Sequence, residues 1–226
     1  MSFLGYVFIK CCSWGFLRDV VVLSVNLSAA MWYPFVRWFK PSLALPQLKV
    51  NSVSDLDFKR LYKLGFRGVC FDKDNTLALP YSDGICSSVE NAFNCAVSVF
   101  GFDFVKVLSN TAGTFDDKNN HWARAIEEDW GVEVIRHWIK KPGCVRAVRD
   151  AFCSVGCDSV LCVGDRMFSD IVLGNRLSMG CVLVDPLSWG SEIGVAVRAQ
   201  SHEHSLFKKY EAKGLCAKPH NLLSQY

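Results

Sequence analysis

The chain has 226 residues, of which 50% are apolar and 21% charged. One compact domain with a short extension fits that length, and so apolar a chain cannot be wholly disordered. The net charge of +3 is too small to imply nucleic-acid binding, and it is unevenly spread, with +4 on residues 1–50 and −1 on the rest.

The 11 cysteines stay below the fraction of about 8–10% that marks a disulfide scaffold. No C-x-x-C occurs, which argues against zinc knuckles and thioredoxin-like chemistry. Cys70, Cys162 and Cys181 lie inside apolar runs and read as small hydrophobes in strands. Their scatter implies free thiols in a reducing compartment.

From Val20 to Val36 the chain reads VVVLSVNLSAAMWYPFV, 17 largely apolar residues interrupted by Ser24, Asn26, Ser28 and Pro34. A bilayer span needs about 20 residues with few polar breaks. Trp32, Tyr33, Trp38 and Phe39 cluster beside Arg37 and Lys40, as side chains do at a membrane–water interface. The pattern favours a helix lying on or shallowly inserted in a membrane. A true span, a targeting segment and a helix packed on the protein's own core are the alternatives. Pro41 and Pro46 then mark an extended connector, PSLALPQLKV.

After residue 50 short apolar runs alternate with helical periodicity. The expected elements are a helix over 55–64 capped by Ser54, a strand over 68–71, a helix over 85–100, and a strand over 104–108. A helix over 121–130, a strand over 132–135, a helix over 143–155 and a strand over 159–163 follow. A helix over 168–177, a strand over 181–184 and a helix near 205–213 complete the series. Strands alternating with helices imply an α/β fold, a parallel sheet with helices on both faces. Continuous apolar strand cores fit strands buried on both sides.

Open α/β sheets bind ligands beyond the carboxyl ends of their strands. The residues just after each predicted strand are therefore the informative ones. The first strand is followed by Asp72-Lys73-Asp74-Asn75-Thr76, the second by Ser109-Asn110-Thr111, and the fourth by Gly164-Asp165 with Asp170 five residues on. Lys140-Lys141-Pro142 follows the third. Crowded carboxylates need a cation, and hard oxygen ligands suit Mg²⁺, which binds one or two of them with a phosphate oxygen. An aspartate can attack phosphorus, and a second one two residues on lies on the same side of an extended chain to act as acid and base. A hydroxyl, backbone N–H groups and a lysine can hold the phosphate oxygens.

Asp72-x-Asp74-x-Thr76, Ser109, Lys141 and Gly164-Asp165-x-x-x-x-Asp170, in this order, resemble the four motifs of the haloacid dehalogenase-like phosphatases over about residues 65–190. PSLALP, F-D-K-D-N-T-L, L-S-N-T-A-G, K-K-P-G and G-D-R-M-F-S-D more closely resemble the mitochondrial phosphatidylglycerophosphate phosphatases. That family converts phosphatidylglycerophosphate to phosphatidylglycerol on the route to cardiolipin. The resemblance implies a Rossmann-like, capless domain over residues 51–226, preceded by a membrane-associated or targeting segment and connector over residues 1–50. It implies Asp72 as nucleophile, Asp74 as general acid and base, and Ser109 and Lys141 on the phosphate. Lys140 competes with Lys141 for that role. Mg²⁺ would be held by Asp72, the main-chain carbonyl of Asp74, and Asp165, with Asp170 beside it. Thr76, Asn110, Lys140 and Arg166 are further candidates to meet the substrate. Asn75 and Thr76 also read as turn formers, Ser109 as a helix cap, and the five scattered histidines as structural or exposed.

Only 33 positions separate Thr76 from Ser109 and 32 separate Ser109 from Lys141, leaving no room for a cap domain. An open site suits a bulky lipid headgroup. It would also admit a phosphoprotein or a nucleic-acid end, but the body's −1 charge argues against nucleic acid. A scaffold that has lost the chemistry would lack a motif residue, and none is missing. The expected partners are an anionic phospholipid and a membrane surface, on the matrix side of the mitochondrial inner membrane.

Overall fold

The computed structural model describes residues 27–80, 82–189 and 194–226, without the side chains of residues 27, 30 and 194–200. The stretch from Val20 to Asn26 lies outside the described residues.

Six parallel strands form one sheet: β1 (Leu48–Val50), β2 (Gly68–Asp72), β3 (Val105–Leu108), β4 (Glu133–Val134), β5 (Val160–Gly164) and β6 (Gly180–Val184). Their order is β1-β6-β5-β2-β3-β4. The helices are α1 (Leu27–Phe39), α2 (Phe58–Leu64), α3 (Ser87–Phe100), α4 (His121–Trp130), α5 (Val145–Ala151), α6 (Val172–Arg176) and α7 (Gly194–Ala212). This is the α/β parallel sheet that the alternating pattern predicts.

Alternation along each strand divides the interior into two layers. Val69 and Phe71, Leu161 and Val163, and Val182 and Val184 face α2, α3 and α4. Cys70 and Cys162 turn to the opposite face, toward α5 and α6, and Cys181 and Leu183 pack there with α1 and α7. Both faces are dry along β2, β5 and β6, which is why these strands read as apolar runs, whereas β3 carries the buried Lys106, paired with Glu133 of β4. Cys70, Cys162 and Cys181 are neighbours in register across β2, β5 and β6. Their small side chains let α6 sit close, and a Cβ on Gly174 would strike Cys181 Sγ and lie 2.9 Å from Cys162 Cβ. No disulfide joins the described cysteines.

The connector was expected to be extended. It holds a 3₁₀ turn, Pro41–Ala44, and then β1, which pairs with β6 at Leu48↔Val182 and makes the fold begin before residue 51. The helix expected over 55–64 divides into a 3₁₀ turn, Val53–Asp55, capped by Ser52, and α2, capped by Asp57 rather than Ser54. The helix expected over 168–177 opens as a π turn, Met167–Ile171, and becomes α-helical at Val172. The helix expected over 143–155 spans only α5, and the one near 205–213 is the end of the longer α7.

Helix α1 has two apolar faces. Ala29, Tyr33 and Val36, one helical repeat apart, are buried. Tyr33 lies 4.8 Å from the Phe168 ring, and its hydroxyl is 2.8 Å from His202 Nε2. Met31, Phe35, Trp38 and Phe39 point outward and are exposed. The expectation of a membrane-lying helix is thus corrected for the inner face, which packs on the protein's own core. No described helix is long and apolar enough to cross a membrane.

Candidate active site

The strand order reverses at β2. The chain leaves β2 for β3 and β4 on one side, then returns to place β5 and β6 on the other. Ligand clefts of open α/β sheets form outside the carboxyl ends at such a reversal. Asp72 ends β2, and Asp165 follows β5 next to it.

Asp72, Asp165 and Asp170 are all buried and bring carboxylate oxygens within 4.8 Å of one another. Asp170 comes from the π turn, where its Oδ2 accepts from the Arg166 N–H at 3.1 Å and from Ser169 Oγ at 3.2 Å. The approach is tight. A Cβ on Gly164 would lie 2.5 Å from Asp170 Cγ, so only glycine lets this carboxylate reach the end of β5.

Lys141 is the buried cation of the cluster. Its ammonium donates to Asp72 Oδ1 and, at 2.7 Å, to Asp170 Oδ1. Burial alone would lower its pKa, but Asp170 and Asp72 outweigh burial and hold it well above the ordinary lysine value. The Lys141–Pro142 peptide is cis. Lys140, its neighbour and competitor, turns away to pair with Asp116 at 2.8 Å. Asn110 acts on the same loop, its Oδ1 accepting the Lys141 N–H at 2.9 Å.

The turn after β2 is held by Lys73 O, which accepts from Leu77 N and Ala78 N at 3.0 and 2.9 Å. Asn75 sits in the left-handed region at φ 61°, a conformation asparagine tolerates better than most residues. Its side chain accepts from Ser188 N at 3.2 Å and joins the turn to the end of the sheet. Thr76 is buried with its hydroxyl 3.4 Å from Asp72 Oδ2. The Asp74 side chain lies outside the triad, is 32% exposed and meets Lys73 Nζ at 3.1 Å. Ser109 is fully buried, and its Oγ accepts from the backbone N–H groups of Thr111 and Ala112 at 3.0 and 3.2 Å.

Two residues that local pattern does not single out organise this edge. His137, expected to be structural or exposed, is buried with Nε2 2.8 Å from Ser109 O and Nδ1 2.9 Å from Ile139 O, tying the serine to the lysine loop. Burial, with Lys141 and Lys140 nearby, holds its imidazole below the usual value against the two carbonyls. Glu203 reaches in from α7. Its Oε1 accepts from Arg166 Nε and Nη2 at 3.1 and 2.8 Å, and its Oε2 from Met167 N at 2.7 Å. Arg166, a substrate candidate, is thus turned toward Glu203.

The triad carries three carboxylates against one buried ammonium. Burial, with Asp170 and Asp74 nearby, pushes Asp72 up to about 7 despite Lys141. A hard divalent cation among these oxygens would offset both burial and repulsion, so the donor set fits Mg²⁺.

Asp117 shapes the loop after β3. Its carboxylate accepts from the N–H groups of Gly113, Trp122 and Ala123 at 2.9, 3.0 and 3.0 Å. Burial would raise its pKa, but these donors and Arg136 hold it below the ordinary value. A depressed carboxylate stabilises the fold above its unfolded pKa and loses that contribution as pH falls through the folded one. Asp117→Ala should therefore cost about 1–3 kcal/mol at pH 7 and less at a pH below the ordinary carboxylate range. Denaturant melts at the two pH values check this, and an equal cost at both would contradict it.

The sequence profile of the mitochondrial PGP phosphatase family matches residues 31–188. The chain is 35% identical over 215 residues to phosphatidylglycerophosphate phosphatase 1 (chloroplastic/mitochondrial) of Arabidopsis thaliana, covering 93% of this chain and 61% of that protein. It is 35% identical over 182 residues to the chloroplastic phosphatidylglycerophosphate phosphatase 1 of Chlamydomonas reinhardtii, covering 80% of this chain and 67% of that protein. It is 31% identical over 175 residues to a mitochondrial phosphatidylglycerophosphatase of Saccharomyces cerevisiae, covering 76% of this chain and 89% of that protein. No solved structure gives a significant match. The profile spans most of the chain and every residue of the aspartate–lysine cluster, and the protein belongs to the mitochondrial PGP phosphatase family.

Proposed function

We propose that the protein hydrolyses the terminal phosphomonoester of phosphatidylglycerophosphate, releasing phosphatidylglycerol and phosphate for cardiolipin synthesis. The observation that carries the chemistry is Lys141, buried in contact with Asp72 and Asp170 where the sheet order reverses. The substrate assignment rests on the relatives' names and on an open edge. Between Thr76 and Ser109 the described residues hold α3, a 3₁₀ turn and β3, and between Ser109 and Lys141 they hold a 3₁₀ turn, α4 and β4. Among the described residues neither interval contains a cap. The mitochondrial names of the family and of relatives support a mitochondrial location, and the matrix side of the inner membrane is part of the proposal.

Asp72 attacks phosphorus through a carboxylate oxygen, forming an aspartyl phosphate as the bond to the glycerol oxygen breaks. Asp74, more open than Asp72, protonates the leaving alkoxide. It then takes a proton from the water that attacks the aspartyl phosphate, which releases phosphate and restores Asp72. Lys141 neutralises charge on the transferring group, with Asp170 fixing its ammonium. The Ser109 oxygen is occupied as an acceptor by two N–H groups, which leaves its proton for a phosphate oxygen. Asp72, the Asp74 carbonyl and Asp165, with Asp170 beside them, would hold Mg²⁺, which would supply further neutralisation of phosphate charge.

Phosphate release from phosphatidylglycerophosphate in mixed micelles, set against soluble phosphomonoesters, tests the reading. Turnover should favour the lipid, vanish with EDTA, return with Mg²⁺, and return poorly with Ca²⁺, which prefers more and longer oxygen contacts. Full activity without metal, or a preference for the soluble esters, would overturn it. In the first half-reaction, read as the burst of alcohol release, Asp74→Asn should slow the lipid about 10²–10⁴-fold but spare nitrophenyl phosphate, whose leaving group needs no proton. Equal losses on both would remove Asp74 from the acid role.

A further inference from the structure

Trp138 and Ile139 form the tip of the segment between β4 and α5, and they are 83% and 60% exposed. Phe115, 60% exposed, stands on the loop after β3. These two loops also deliver Lys141 and Ser109 to the site. Three large apolar side chains therefore project into water from its rim.

The projection is braced from below. The His137 N–H donates to Gly113 O at 2.8 Å, which joins the two loops. The His137 ring lies between Ser109 O and Ile139 O. Lys140 pairs with Asp116 and sets its ammonium 5.7 Å from the Phe115 ring centre. A Cβ on Gly143 would collide with Ile139 and with Ser28 of α1. Between the tips lies a groove of about 340 Å³, with buried Thr114 and His137 among its lining and exposed Phe115, Lys118 and Trp138 at its margin.

Helix α1 meets the base of the same segment. Ser28 abuts Gly143. Arg176 donates to Pro142 O and stacks over Trp32, its guanidinium 3.9 Å from the ring centre. The apolar outward residues of α1, Met31, Phe35, Trp38 and Phe39, thus belong to a helix that begins beside the rim.

We propose that Trp138, Ile139 and Phe115 insert into the headgroup region of an anionic bilayer and seat the mouth of the active site on the lipid surface. The proposal rests on the lipid-substrate reading. A diacyl substrate stays in the bilayer, so an uncapped site must come to the surface that holds it, and its own rim is the part that arrives first. An indole suits a lipid interface, and the exposed Lys118 at the groove margin suits an anionic one. A protein partner would need a broad continuous patch, whereas two narrow braced tips around a groove fit penetration between headgroups.

The test uses the full chain, with Trp138→Ser/Ile139→Ser as the disrupted variant and Trp138→Phe/Ile139→Leu as the conservative one. Vesicles of phosphatidylcholine with phosphatidylglycerol serve for co-sedimentation and, doped with substrate, for turnover. Nitrophenyl phosphate reports the bare site. The serine variant should lose at least tenfold in vesicle binding and in bilayer turnover while staying within twofold on nitrophenyl phosphate, and the conservative variant should restore both. Brominated lipid should quench wild-type tryptophan fluorescence more than that of Trp138→Phe. Unchanged vesicle binding by the serine variant, or equal losses on both substrates, would overturn the proposal. Wild-type enzyme that hydrolyses the lipid while the serine variant sediments normally would refute only the docking surface. Wild-type enzyme that binds vesicles through these residues but prefers soluble esters would refute only the lipid-substrate reading.

Discussion

Asp72→Asn should abolish phosphatase turnover, by about 10³-fold or more, without unfolding the protein. The amide keeps the carboxylate's shape and still offers an oxygen to Lys141, but it is a very poor nucleophile. Stability should hold or rise. Asp72 is buried beside Asp170 and pushed up to about 7, so its charge is costly in the fold, and a neutral amide removes that cost. Phosphate release and a thermal melt on the same preparation measure both effects. Activity within tenfold of wild type would take the nucleophile's role away from Asp72.

Lys141→Met should lose activity on the same scale and, unlike Asp72→Asn, should also lose stability. The side chain is fully enclosed and is the buried cation against Asp72 and Asp170. Removing one partner of a buried ion pair leaves uncompensated charge and typically costs about 3–5 kcal/mol. Added Mg²⁺ should return part of that stability, because it supplies positive charge to the same carboxylates. Lys140→Met is the control. Its partner Asp116 is exposed, and such a pair contributes at most about 1 kcal/mol. Melts of the two variants with and without Mg²⁺ decide the matter, and equal destabilisation would sink the assignment of Lys141.

Helix α1 divides between two readings, a helix lying on a membrane and a helix packed on the protein's own core, that local pattern leaves open. Residues 29, 33 and 36 of α1 and residues 31, 35, 38 and 39 are all apolar or aromatic. Composition therefore does not say which face meets protein. Phe168, Leu206, Phe207 and Tyr210, all remote in sequence, cover one face and leave the other to solvent.

Much of the site was legible from sequence alone. A strand buried on both faces is mostly apolar, so the polar residues after the run mark its carboxyl end. That rule placed Asp72 and Asp165 at one sheet edge, Ser109 follows β3 there although Lys106 interrupts that run and is matched by Glu133, and the parallel sheet itself followed from strands alternating with helices. Elements that lean on distant partners were not legible. Strand β1 is three residues long and only half-buried, and its strand character comes from pairing with β6. Lys140 and Lys141 are chemically identical neighbours, and the backbone sends one to Asp116 and the other into the aspartate cluster. His137 and Glu203 act through bonds to Ser109, Arg166 and Met167, 28 to 37 positions away. Local periodicity records which face of an element is dry. Which distant group completes a buried charge or a backbone bond is decided when the layers pack, and only the tertiary structure holds that information.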